Sequence, residues 1–375
     1  MELEFSTDQE ELRDSIRAVL AKESPVGLAR SIVETGQTAD DLWATMTGLG
    51  WPALTVAEEH GGIGLGPIEA GILAEELGRV MAPGPLLPTV TQYVPLVRET
   101  ASAEQQARFL GAVARGEVRG TLALAESTGS YDPADVEATA TPDGDALVLA
   151  GTKRFVMEAA AADEIAVVVR LAGSTGDAGV TVVVVPASEA EVRAIRTLDG
   201  SRTVADVVLD GVRVAPDRVL GTAGLAADGV RRAVEEAAVS IGLETVGICQ
   251  AIFDITLEYA KNRRQFGVPI GSFQAIKHKF ADMLIALERA RATGYFAALT
   301  IADDDDRRTL ASAVAKAAAG DCQRLLGKEG IQIHGGIGYT WEHDMHLYVK
   351  RAKSNDGFFG ATAYHRSRIA SLLGI

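Results

Sequence analysis

One carboxylate stands alone in the apolar stretch AAVSIGLETVGICQAIF, residues 237–253. It is Glu244, and the spacing around it predicts a helix. A carboxylate isolated among apolar side chains is costly unless it is paired or functional. A carboxylate in such a place has the chemistry of a general base. The competing role is a packing glutamate paired with an arginine across a subunit interface. Arg263 ends the same helical pattern beside a glycine-containing turn, in Tyr259-Ala260-Lys261-Asn262-Arg263-Arg264-Gln265-Phe266-Gly267. A guanidinium there can hold a pyrophosphate through forked hydrogen bonds. In Gln332-Ile333-His334-Gly335-Gly336-Ile337-Gly338-Tyr339, the glycine pair lets backbone N–H groups approach an anionic or planar ligand. The plainer readings are a surface arginine and a helix-ending glycine pair.

Other chemistries find little support. The sequence contains no GxxxxGK[ST], HExxH or GxSxG motif. His343 and His346 have no further ligand cluster near them, so no metal site is expected. Gly61-Gly62-Ile63-Gly64-Leu65-Gly66 does not fit GxGxxG and reads as a loop. Two cysteines, Cys249 and Cys322, with no CxxC, fit a reducing cytoplasm rather than a disulfide scaffold. A net charge of −15 argues against nucleic-acid binding, although local cations can still build a phosphate site. Met1 to Phe5 carries no signal-peptide pattern, and apolar runs such as 165–169 and 182–185 are too short to span a bilayer, so no membrane association is expected.

The elements that must position these residues fall into three parts. Residues 7–114 read as helical, with amphipathic stretches at 8–20, 39–49 and 68–81. From about Gly120, short apolar or β-branched runs at 121–125, 146–149, 165–169, 180–185 and 204–209 alternate with Gly, Pro and Asp clusters. That reads as a unit of antiparallel strands. Helical patterns return at about 226–264, 273–302 and 308–326, followed by helix broken by glycines. The expected fold is α+β: an N-terminal helical domain (1–118), a central antiparallel β domain (119–222) and a C-terminal helical bundle (223–375). It is not the alternating βα order of a dinucleotide-binding unit.

The arginine segment continues through Pro269-Ile270-Gly271-Ser272-Phe273-Gln274 and Ala281-Asp282-Met283. With the Gly335-Gly336 segment and Leu124-Ala125-Glu126-Ser127-Thr128-Gly129-Ser130-Tyr131-Asp132, it resembles the acyl-CoA dehydrogenase family along nearly the whole chain. The resemblance implies an FAD-dependent enzyme that converts an acyl-CoA thioester to its α,β-unsaturated product. It implies FAD contacts from Arg263, Phe266, Gln274, Gln332, Gly335 and Gly336 toward a neighbouring subunit, and from Ser130 and Phe155 toward the flavin or the CoA arm. A homotetramer or heterotetramer is then expected, with an electron-transfer flavoprotein as acceptor.

The sequence also departs from the family. Ala125 replaces a Thr, the loop before Gly129-Ser130 is a residue shorter, and Met157 has no hydroxyl to offer the flavin. Many members place the catalytic Glu in a C-terminal Tyr-Glu-Gly-Thr segment; here Phe359 stands at that position, in Phe358-Phe359-Gly360-Ala361. The isovaleryl-type register puts Ala237 at the second known position. Members with a Phe-Gly segment, including those acting on steroid side-chain CoA esters, carry an Ala-Glu-x-x-Gly-like pattern, which Glu244-Thr245-Val246-Gly247 matches with Leu243 replacing the Ala. Glu244 is therefore the candidate base. The alternatives are a non-catalytic partner subunit of a heteromeric dehydrogenase, an oxygen-using relative, or a CoA-ester binding module without turnover.

Overall fold

The computed structural model describes residues 4–375; residues 1–3, part of the stretch read for a leader, lie outside the described residues. Seven helices come first: α1 (Thr7–Glu23), α2 (Val26–Thr35), α3 (Asp40–Gly48), α4 (Pro67–Arg79), the single turn α5 (Leu86–Pro88), α6 (Val94–Thr100) and α7 (Ala103–Ala114). Ten strands follow: β1 (Gly120–Ala123), β2 (Thr139–Asp143), β3 (Ala146–Ala150), β4 (Thr152–Met157), β5 (Glu164–Leu171), β6 (Val180–Pro186), β7 (Glu191–Ala194), β8 (Val204–Val208), β9 (Val212–Val214) and β10 (Val219–Leu220). Helix α8 (Ala227–Asn262) leads to the two-residue strands β11 (Arg264–Gln265) and β12 (Val268–Pro269). Helices α9 (Gln274–Ala302), α10 (Arg308–His334), α11 (Met345–Gly357) and α12 (Thr362–Leu372) close the chain.

By contact the described chain forms two compact units. One comprises residues 4–37, 67–83 and 238–375; the other comprises 38–66 and 84–237. The N-terminal helices are thus divided between the units.

The helical unit is ordered by close backbone approaches. A Cβ on Gly247 would lie 1.9 Å from the Glu75 carbonyl oxygen, and one on Gly78 would lie 2.1 Å from that of Glu244. Only glycine lets α4 and α8 cross this closely. Helix α10 runs to His334, beyond the break expected near Leu326. Gly330 stays inside it because a side chain there would come within 2.9 Å of Ile252 on α8. The apolar window of α8 is long enough to cross a membrane, but 78% of it is buried inside the fold, as in a core helix.

The β unit holds a seven-stranded sheet in the order β10-β6-β5-β2-β3-β9, with β1 also on β5, and a three-stranded sheet β4-β8-β7. Pairing is antiparallel except that β1 and β2 both run parallel to β5. The eight residues of β5 are long enough to serve both, β1 along Glu164–Val167 and β2 at Arg170 and Leu171. Val167, Val169, Val183 and Val185 on β5 and β6 are wholly buried, which explains their unbroken β-branched runs.

Candidate active site

Glu244 is 1% exposed, but it is not isolated. Its Oε1 lies 3.3 Å from Nη1 of Arg351, and Asn355 Nδ2 donates to its Oε2 at 2.8 Å. Arg351 and Asn355 sit four apart on α11, so they share a face, and both are 0% exposed. Asn355 Nδ2 also donates to Thr245 Oγ1 at 3.2 Å. The packing alternative expected an arginine from across a subunit interface; the arginine beside Glu244 is Arg351 of the same chain. Gly247, three residues on, is accounted for by the α4 crossing.

The segment at the family's usual Glu position is held just as firmly. Phe359 is buried and adopts φ +55, strained for a bulky residue. Its carbonyl oxygen lies 2.8 Å from His365 Nε2. Lys316 on α10 is fully buried, and its Nζ donates to the carbonyl oxygens of Asn355, Asp356 and Gly360 at 3.0–3.1 Å. Burial pulls the Lys316 amine down to about 8, with Asp356 opposing the shift. Burial likewise depresses His365 to about 4, the Phe359 carbonyl opposing. Thr362 Oγ1 donates to Asp356 Oδ1 at 2.6 Å and completes the clasp.

A second group of residues meets where α8 and α10 end. Tyr259 stacks on His334 with ring centroids 4.4 Å apart, and its hydroxyl donates to the His334 carbonyl oxygen at 3.4 Å. Arg263 lies one turn beyond Tyr259, and Gly335 directly follows His334, so both segments leave from this stacked pair. Arg263, Phe266, Gln274, Gln332, Gly335 and Gly336 are all exposed. Arg263 makes no side-chain hydrogen bond or ion pair among the described residues. Gly335 adopts φ +64 and ψ −141, a region essentially closed to residues with side chains. A Cβ on Gly335 or Gly336 would meet nothing within 4 Å. An exposed guanidinium and a glycine pair with room around it have the chemistry to hold a pyrophosphate. Phe266 is 93% exposed at the tip of the β11–β12 hairpin, with φ +52 followed by +81 at Gly267.

Ser130 and Phe155 lie in the β unit. The Ser130 hydroxyl is engaged within its own loop, donating to Asp135 Oδ2 at 2.7 Å and accepting from the Asp132 N–H at 3.1 Å. Phe155 is 41% exposed with φ +58. Met157 is buried, its carbonyl accepting from Thr121 Oγ1 at 2.6 Å and its sulfur from Gln92 Nε2 at 3.4 Å. No cluster of three His, Cys, Asp or Glu suited to a metal exists among the described residues.

The sequence reading did not single out Arg351, Asn355 or Lys316. Arg351 lies in Lys350-Arg351-Ala352-Lys353, which reads as a solvated charged face, and Asn355 gives no periodic signal.

Comparison with known proteins matches residues 6–117 to the acyl-CoA dehydrogenase N-terminal domain, 121–212 to the middle domain and 227–374 to the C-terminal domain. The acyl-CoA dehydrogenase IpdE2 of Mycobacterium tuberculosis is 30% identical over 349 residues, covering 92% of this chain and 91% of that one. Butyryl-CoA dehydrogenase from Megasphaera elsdenii superposes with a TM-score of 0.92 at 23% identity, covering 100% of both chains. A Tcur3481–Tcur3483 steroid ACAD variant superposes with a TM-score of 0.86 at 28% identity, covering 98% of each.

Proposed function

Because the chain belongs to the acyl-CoA dehydrogenase family, we propose that it is the FAD-gripping subunit of a heteromeric acyl-CoA dehydrogenase, with the α-proton base on its partner chain. The observation that carries this is the fate of Glu244, a carboxylate closed in by Arg351 and Asn355. Both carboxylate oxygens of Glu244 already accept hydrogen bonds within the chain, and the residue is only 1% exposed, so neither oxygen is presented to a substrate. Phe359, at the family's other position, offers no proton acceptor at all.

The reaction removes a proton from the α-carbon and a hydride from the β-carbon, leaving a carbon–carbon double bond. FAD, when bound, accepts the hydride. Arg263 would hold the pyrophosphate by charge-assisted hydrogen bonds; the Gly335 N–H already donates to the Gln332 and Ile331 carbonyls at the end of α10, so Gly335 would serve by its bare backbone and the Gly336 amide would approach the oxygens. Phe266, Gln274 and Gln332 would border the same ligand, while Phe155 and Ser130 would meet the flavin or the CoA arm. Electrons would leave to an electron-transfer flavoprotein, in the cytoplasm. The similar steroid ACAD points to bulky acyl groups as the first to try.

A second reading keeps Glu244 as the base, favoured by its place at the centre of an apolar helix in a matching Glu-x-x-Gly pattern. Anaerobic addition of a CoA-ester panel, from short branched to steroid side-chain esters, separates the two. The partner-subunit reading expects the purified chain to be yellow but unbleached by every ester, and bleached once a Glu-bearing second chain is supplied. Bleaching of this chain alone would favour Glu244. Peroxide formation in air would instead mark an oxygen-using relative.

A further inference from the structure

The β unit buries a pair of charges that nothing above uses. Lys153 on β4 is 0% exposed and Glu126, just after β1, is 7% exposed. Lys153 Nζ donates to Glu126 Oε1 at 2.6 Å and to the Leu124 carbonyl oxygen at 3.1 Å. Glu126 Oε1 also accepts the Ala138 N–H at 2.9 Å, and its Oε2 accepts the Glu137 N–H at 2.7 Å. Two charges thus tie three segments together. Replacing such a pair by apolar side chains often costs a protein nothing, so its presence calls for another reason.

Strand β4 departs from regular pairing directly after Lys153. Its register against β8 runs from Lys153↔Val207 to Val156↔Ala205, so Arg154 and Phe155 together face Asp206. This is a β-bulge, a device that re-aims a side chain. Phe155 takes φ +58 and stands 41% exposed, an unfavourable conformation and an unfavourable environment for one bulky apolar residue. Arg154 flanks the ring, its guanidinium 5.5 Å from the ring centroid and 3.2 Å from Asp206. The bulge keeps one backbone anchor, the Arg154 N–H donating to the Ala125 carbonyl oxygen at 2.8 Å. Lys153 and Glu126 are the sequence neighbours of that anchor's two ends, so their ion pair clamps it from both sides.

We propose that Lys153 and Glu126 are a positioning pair, holding the bulge that presents the Phe155 ring as a stacking surface for the flavin of FAD. The inference rests on the FAD-binding reading above. Without the clamp, a shift of one residue restores regular pairing and turns Phe155 to the other face of the strand. The pair touches no ligand; it acts through the Arg154–Ala125 bond.

The test uses the purified full-length assembly and FAD itself as the probe. The double variant Lys153→Met/Glu126→Gln removes both charges, leaves neither stranded, and keeps an acceptor for a neighbouring amide. It is expected to keep the parent far-UV circular dichroism and melting transition, yet to bind FAD at least about tenfold more weakly, with an altered visible circular dichroism of whatever flavin remains. Glu126→Gln alone, nearly isosteric, is the second variant; it leaves Lys153 without its counter-charge, so it should move both readouts the same way and lower the melting transition as well. Parent FAD affinity together with parent flavin dichroism in either folded variant would overturn the inference and leave the pair merely structural. A parent assembly that takes up no FAD would overturn the functional reading itself, and this inference with it.

Discussion

Arg351 and Glu244 are each the reason the other can be buried, since both lie at or below 1% exposure. Removing one partner of a buried ion pair typically costs about 3–5 kcal/mol. Arg351→Met is therefore expected to lower unfolding free energy by about that much, measured in urea. Adding Glu244→Gln to it should restore a large part, because contacting residues are not additive. Glycines on α8 offer a sharper contrast. Gly247→Ala should cost at least about 1–3 kcal/mol, because its Cβ would sit 1.9 Å from the Glu75 oxygen. Gly242→Ala, where the Cβ would meet Ala319 at 3.7 Å, should be neutral or stabilising by up to about 1 kcal/mol. Matched urea melts of the two variants check the pair. The sequence made Glu244 visible and hid its partners: the arginine lies 107 positions away, among lysines that belong on a solvated face. No local pattern reports a contact at that separation.

Element by element, the amphipathic helices and the buried strands were legible because their periods are strong, as for α1, α9, β5 and β6. Strand β2 was not, because Thr141-Pro142-Asp143 carries turn chemistry and its exposed end needs no apolar alternation. The far end of α10 was missed because glycine marks a break only when no neighbouring helix needs the space. Two consequences belong to this scale. His334, His346 and His365 are all buried and hold their imidazoles below the ordinary value of 6.5, burial being the largest cause in each; His365 reaches about 4. As pH falls, the unfolded chain takes up these protons first. The stability the neutral rings provide is complete above about pH 6.5 and is lost as pH falls toward the folded values, by at most about 1.4 kcal/mol per pH unit for each ring. Urea melts at about pH 7.5 and about pH 5.5 should show the decline, and His365→Gln, which keeps a donor for Phe359, should flatten it. The β11–β12 hairpin gives the second. Phe266 bears a left-handed conformation in full solvent, so Phe266→Gly is expected to stabilise the fold by up to about 1 kcal/mol. If the ring is kept for FAD, the same change should weaken FAD retention on gel filtration.

For the whole molecule, the α-β-α order alone separates this chain from dinucleotide-binding folds. Its packing into two units was not legible, because which N-terminal helix joins which core depends on contacts far along the chain. The exposed apolar side chains, with Ile285 at 67%, Phe266 at 93% and Tyr339 at 77%, are what a subunit would cover on assembly. Light scattering should find the FAD-loaded chain in an oligomer, and a flavin-loaded active monomer would contradict this. Glu244 is either a structural anchor or a proton acceptor, and the two roles answer differently to one substitution. The direct test is anaerobic flavin reduction by an effective CoA ester in the FAD-loaded assembly carrying Glu244→Gln, with its melting transition recorded beside the rate. If Glu244 is the anchor proposed, the melting temperature falls and the reduction rate stays within about twofold of the parent, without the loss of about 10²–10⁴-fold that removing a positioned base brings. A reduction rate down by about a hundredfold or more, in a variant as stable as the parent, would contradict it and return Glu244 to the role of base.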